Sequence, residues 1–115
     1  MRLHRIILAG GLALVLAPAA MAAPSPVKGK EIFHRVGCYE CHNYQGQGGV
    51  GPRVSSVAFE RLKSYVRNAN GNMPPYAPTV LSDDDIADIY AYLQSIPKPP
   101  AADSIAVIKN LKAAP

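Results

Sequence analysis

The chain has 115 residues, 49% of them hydrophobic, and 12 Lys and Arg against 8 Asp and Glu give it a formal charge of +4. That length fits a single domain, and the basic residues are scattered with no run of five or six, which argues against nucleic-acid binding. With no Trp and only two Phe, the chain is poorly equipped to build a self-sufficient core, so something besides side chains is expected to fill it.

Arg2, His4 and Arg5 form a positive stretch ahead of an apolar run over residues 6 to 17, which Pro18 ends before Ala19-Ala20-Met21-Ala22-Ala23. This layout predicts a secretory signal peptide over residues 1 to 22, cut after Ala22 so that Ala20 and Ala22 are the small pair of the site. The competing reading is an uncleaved inner-membrane anchor. It meets Gly10, Gly11 and Pro18 in a run shorter than the about 20 apolar residues a span needs. Cleavage removes Arg2 and Arg5 but no acid, so the 93 residues left when 22 are taken from 115 carry a formal charge of +2. In an oxidising periplasm two lone cysteines, Cys38 and Cys41, are expected to be consumed by a bond of some kind.

Residues 26 to 37 place Val27, Ile32, Phe33 and Val36 at helical offsets among Lys28, Lys30, Glu31 and Arg35, the pattern of an amphipathic helix. Gly29 inside it predicts close approach by another element, and Gly37 stands where the helix should end. His34, four residues before Cys38, reads as a surface residue. Next comes Cys38-Tyr39-Glu40-Cys41-His42. Two thiols at this spacing reach the two vinyl groups of a porphyrin, and the imidazole that follows can take the iron, as covalent c-type haem attachment requires. A short-loop Cys38–Cys41 disulfide is the plain alternative, and a thioredoxin-type redox pair lacks the expected βαβ setting. Zinc through His34, Cys38, Cys41 and His42 lacks the paired spacing of a zinc site. A covalently fixed macrocycle would also supply the missing core material.

Asn43-Tyr44-Gln45-Gly46-Gln47-Gly48-Gly49-Val50-Gly51-Pro52 is a glycine-rich loop. Gly46, Gly48 and Gly51 match G-x-G-x-x-G, but without a strand before it the match has no mechanical meaning, and a loop bent around a macrocycle is the better reading. Pro52 has a free carbonyl and no N–H, so it is suited to accept a hydrogen bond from the far nitrogen of His42, orienting the ring and raising its basicity. Residues 57 to 68 form the next helix, with Phe59, Leu62 and Val66 on one face. Asn70-Gly71-Asn72 breaks it and delivers Met73-Pro74-Pro75-Tyr76.

Once Met1 and Met21 are removed, Met73 is the one methionine left, and it stands in a turn instead of on a periodic apolar face, where gap-filling methionines sit. A thioether on a stiff Pro-Pro loop, 31 residues past His42, suits the sixth position of the iron. Ser82 and the acids at 83 to 85 form an N-cap with Asp85 at N3, and no calcium loop follows. Ile86, Ile89, Tyr90, Leu93 and Ile96 repeat at helical spacing until Pro97 stops them; this face is expected to pack on the 26 to 37 helix at the Gly29 notch. Pro97-Lys98-Pro99-Pro100 begins a stiff tail. A short helix over residues 103 to 112, through Ile105, Ile108 and Leu111, is expected to pack on the body rather than dock on a partner. No segment has strand periodicity.

Taken in order, Gly29 and Phe33, the C-x-x-C-H of residues 38 to 42, Gly51-Pro52, Met73-Pro74 and Ile89-Tyr90-Ala91-Tyr92-Leu93 make residues 27 to 97 resemble a bacterial, periplasmic class I mono-haem cytochrome c. Val54 stands where leucine is common. The resemblance implies an all-α fold, three to four helices wrapped around one covalently bound haem c. It implies thioethers from Cys38 and Cys41, His42 and Met73 as axial ligands of the iron, the Pro52 carbonyl on His42, and first and last helices crossing near Gly29 and Tyr92. The expected organisation is a signal peptide at 1 to 22, a cytochrome c domain at 23 to 97 and a Pro-rich tail at 98 to 115. The function implied is that of a periplasmic one-electron carrier, not itself an enzyme, meeting a dehydrogenase, oxidase or reductase transiently. Two rivals stand beside it: a subunit docked permanently to a periplasmic dehydrogenase through the tail, and a haem enzyme or gas sensor in which Met73 is labile.

Overall fold

The computed structural model describes residues 22 to 113, so the expected signal peptide lies outside the described residues except for Ala22. The described residues form helices and no strand: α1 (Pro26–Arg35), α2 (Cys38–His42), α3 (Phe59–Asn68), α4 (Asp83–Ser95) and, after a 3-10 turn at Ala102–Ser104, α5 (Ala106–Ala113). No helix among them is long and apolar enough to cross a membrane.

Local chemistry sets the boundaries. Ser25 caps α1 by accepting from the Lys28 N–H, and Pro26 occupies the first turn, where a missing N–H costs nothing. Gly37, at φ +82°, ends that helix in a left-handed conformation that glycine adopts without strain and starts α2. α4 opens on a capping box: Ser82 Oγ accepts from the Asp85 N–H at 3.1 Å and the Asp85 carboxylate accepts from the Ser82 N–H at 3.0 Å. α3 has no side-chain cap. It is held by burial of Leu62 and Val66 and by Lys63 and Arg67, which both reach the Asp83 carboxylate at 2.6 Å.

α1 lies directly on α4. A Cβ at Gly29 would land on the Asp88 carbonyl and within 2.8 Å of the Ile89 nitrogen, so the two backbones are in contact and only glycine fits. Tyr92, expected at this crossing, sits one turn further along and packs its ring on Phe33 with centroids 5.8 Å apart. Around the crossing the buried residues Ile32, Phe33, Ile86, Ile89 and Leu93 interlock, and Leu62, Val66 and Leu81 complete the core. Val27, placed by periodicity on the apolar face of α1, is 73% exposed, although its neighbours Lys28 and Gly29 lie against α4. Asp88 is buried instead, at 6% exposure. The Ser25 N–H donates to its Oδ1 at 2.7 Å, and Lys28 Nζ lies 2.8 Å from its Oδ2.

The tail corrects another expectation. Its helix forms, but among the helical elements α5 touches only the 3-10 turn before it, and Val107 and Leu111 are exposed. The intervening prolines have fixed φ and favour extended backbone, so the segment between α4 and α5 does not fold back over the core.

Gly29→Ala is expected to cost about 3 kcal/mol, the upper end of overpacking penalties, because the neighbour it strikes is backbone and cannot rotate away; denaturant titration measures it. A second expectation concerns acid. The hydrogen bond to Lys28 first, and the Ser25 N–H after it, hold the Asp88 carboxyl below the usual carboxylate range. A depressed folded pKa stabilises above the unfolded value of about 3.9 and ceases to do so as pH falls through the folded value. Asp88→Asn should therefore flatten the acid limb of a urea-midpoint profile below about pH 4 and leave its slope near neutrality unchanged.

Candidate cofactor site

α2 is a single five-residue helix that carries both cysteines and His42. Cys38 is half-buried and Cys41 exposed, and the sulfurs are not bonded to each other. Burial pushes the Cys38 thiol up to about 11, so it is a neutral group in apolar surroundings. His42 is 8% exposed and its Nδ1 lies 2.7 Å from the Pro52 carbonyl. A carbonyl can only accept, which assigns the proton to Nδ1 and leaves Nε2 with a free lone pair.

The glycine-rich loop is what brings Pro52 there. At the C-terminus of α2 the Gly51 N–H donates to the Cys41 carbonyl at 2.8 Å and the Gly48 N–H to the His42 carbonyl at 3.1 Å, so the loop satisfies acceptors that the helix end leaves free. Gly46, buried at φ +62°, turns the chain where a Cβ would strike Leu93 at 2.8 Å and Val54 at 2.9 Å. Its carbonyl accepts from the Val54 and Ser55 N–H groups at 2.8 and 3.1 Å. Gly51 is needed for space: a Cβ there would lie 2.9 Å from His42 Cε1 and 3.0 Å from Nδ1.

An apolar cleft opens beside this loop. Cys38, His42 and Met73 all line it, with Phe33, Leu62, Leu81 and Ile86 as its wall. Cys41 is not part of that wall. Met73 is half-buried on a loop secured through Tyr76, whose phenol donates to the Val36 carbonyl at 2.8 Å and whose N–H donates to the Val66 carbonyl at 2.9 Å. Arg67 Nη1 donates to the Tyr76 carbonyl at 2.9 Å. Burial first, then the nearby Cys38, Glu40 and Cys41, hold the Tyr76 phenol above its ordinary pKa, which keeps it a donor.

His34, read from its sequence setting as a surface residue, is only partly exposed. It is half-buried in an aromatic group with Tyr39, Tyr44 and Tyr92 at ring centroids of 5.4 to 6.4 Å, and its Nε2 lies 3.3 Å from the Tyr44 carbonyl, which also accepts from the Tyr92 phenol at 2.7 Å. Sequence reasoning missed Tyr76 and Arg67 as supports of the Met73 loop. The available hint was an aromatic residue directly after a double proline. Arg67 reads only as part of a solvated helix face.

The donor set fits an iron macrocycle: an apolar lining, one imidazole nitrogen free to coordinate, a thioether and a neutral thiol. Residues 24 to 93 match the family model described as cytochrome c oxidase, cbb3-type, subunit III. The chain belongs to the c-type cytochromes, a family defined by covalently bound haem c with its iron. It is 32% identical over 98 residues to the cytochrome c subunit of 4-cresol dehydrogenase (hydroxylating) from Pseudomonas putida, an alignment covering 84% of this chain and 83% of that one. It is 29% identical over 80 residues to the cytochrome c subunit of the cytochrome bc1 complex of Corynebacterium diphtheriae, covering 64% of this chain and 28% of that protein. The chain thus spans little more than a quarter of the length of the latter relative. No solved structure matches it.

Gly51→Ala, which has no positive φ to strain, is expected to cost about 1–3 kcal/mol purely by crowding the His42 ring. A lowered denaturant midpoint checks this.

Proposed function

We propose that the chain is a one-electron carrier exported to the periplasm, with one haem c joined through Cys38 and Cys41 and with His42 and Met73 as the axial ligands of the iron. The observation that carries this reading is the convergence of the His42 imidazole, its tautomer held by Pro52, and the Met73 thioether on one apolar cleft beside Cys38. When bound, the haem supplies a one-electron iron couple.

The rest is the work of this chain's own groups. The Pro52 carbonyl fixes the imidazole's orientation and makes Nε2 more basic. Met73 offers a soft, neutral donor, which favours the lower-charged iron and raises the potential relative to two nitrogen ligands. Were His42 and Met73 both to hold the iron, no position on it would be open to oxygen or peroxide. The wall of Leu62, Leu81 and Ile86 excludes water, so a change of charge is felt at low dielectric. In this reading residues 1 to 22 are the signal peptide, 23 to 97 the cytochrome domain and 98 to 115 a tail outside it. Other redox proteins are the partners.

A second reading, a subunit docked permanently on a dehydrogenase, is supported by the alignment with the Pseudomonas putida subunit over most of both chains and by the α5 helix that packs on no helix of the domain.

The test uses the full chain matured in a host that assembles c-type cytochromes. The wild type should keep its haem through denaturing electrophoresis, and the Cys38→Ser, Cys41→Ser double variant should not. Met73→Ala should retain the covalent haem, lose the sulfur-to-iron charge-transfer band and fall in potential. An unchanged spectrum and potential in Met73→Ala would overturn the axial assignment.

A further inference from the structure

The loop that carries Met73 is thinly supported near the thioether itself. Gly71, Asn72, Pro74 and Pro75 are exposed and Met73 is only half-buried. Three residues further on, every hydrogen-bonding group of Tyr76 is in use, and each goes to a different part of the domain. The phenol reaches the Val36 carbonyl at 2.8 Å, the N–H reaches the Val66 carbonyl at 2.9 Å, and the carbonyl is held by Arg67 at 2.9 Å. Arg67 is itself fixed by the Asp83 carboxylate at 2.6 Å.

The segment between these two residues is stiff. Pro74 and Pro75 have φ fixed near about −65°, and a residue before proline, as Met73 is, keeps to extended backbone. A displacement at Tyr76 is therefore passed on to Met73 instead of being absorbed. The far end of the phenol's bond matters as well. Val36 is the C-cap of α1, two residues before Cys38, so the bond ties the thioether loop to the segment that presents the attachment helix on the same cleft.

We propose that Tyr76, backed by Arg67, is the positioning residue that keeps the Met73 thioether on the iron against competing ligands. This rests on Met73 being the axial ligand. Without the phenol the loop loses its tether to α1, and the Val36 carbonyl loses its donor.

The experiment titrates the oxidised haem-loaded protein with imidazole and follows displacement of Met73 by loss of the sulfur-to-iron charge-transfer band. Tyr76→Phe should be displaced at about three- to tenfold lower imidazole, the equivalent of one net hydrogen bond. Arg67→Lys keeps the charge but cannot span the Tyr76 carbonyl and Asp83 together; it should shift the midpoint in the same direction, so the result does not depend on one variant folding. Tyr90→Leu removes an edge contact to Phe59, centroids 5.4 Å apart, between two residues that do not line the cleft. It should lower global stability and leave the imidazole midpoint in place. If Tyr76→Phe and Arg67→Lys titrate as the wild type does, or Tyr90→Leu shifts as far as they do, the positioning role is overturned while the Met73 assignment stands. If the wild type has no sulfur band, the axial assignment fails and the positioning role falls with it.

Discussion

Two backbones touch at Gly29, and the rest of the domain is arranged by that contact. Because no side chain separates α1 from the Asp88 and Ile89 main chain, Ile32 and Phe33 seat directly on the Ile89 and Leu93 side of α4. α1 passes into α2 within two residues, so its angle on α4 sets where Cys38 and His42 face. At the first residue of α4, Asp83 gathers Lys63 and Arg67 and fixes α3, and the Met73 loop spans the gap between those helices. One close approach thus governs both walls of the cleft. Its cost in helix propensity, about 1 kcal/mol for a mid-helix glycine, is small beside the burial it permits.

A domain this short, with few large aromatics, has little core with which to hold its loops. It holds them through main-chain carbonyls. His42 reaches the carbonyl of Pro52, Tyr92 that of Tyr44, Tyr76 that of Val36 and Arg67 that of Tyr76. A carbonyl is an acceptor whose position is set by backbone geometry with no rotamer to lose, so each such bond fixes a side chain against a rigid point. No buried side-chain nitrogen or oxygen among the described residues lacks a partner. The consequence is a site whose candidate iron donors are held from outside their own elements, His42 by the Pro52 carbonyl and Met73 through Tyr76 three residues further on.

The family match follows the same division of the chain. It covers residues 24 to 93, the part built on the Gly29 crossing, and ends before the proline segment. The α5 helix belongs to neither the core nor the cleft. Its exposed Val107 and Leu111 are what a short amphipathic helix shows when no other α-helix among the described residues packs on it.

The chemistry of the candidate site is legible in the order of the amino acids, because it resides in covalent spacing: C-x-x-C-H, one methionine before a double proline, a carbonyl without an N–H at Pro52. Helix starts are legible for the same reason, since caps such as Ser25 and Ser82 act on neighbours three residues away. What depends on partners distant along the chain is not. Asp88 reads as one polar residue on a helix, and only the arrival of Ser25 and Lys28, some sixty residues earlier, makes it a buried and satisfied carboxylate. His34 reads as a surface residue because the rings that partly cover it come from the segment that follows α1, at Tyr39 and Tyr44, and from Tyr92 on α4. Tyr76 and Arg67 acquire a role only where α1, α3 and α4 meet around them. The sequence by itself determined which donors this protein offers and where α1 and α4 begin. The tertiary structure decided which of those donors share a cleft and what keeps them there, because a hydrogen bond across forty residues leaves no periodicity to read.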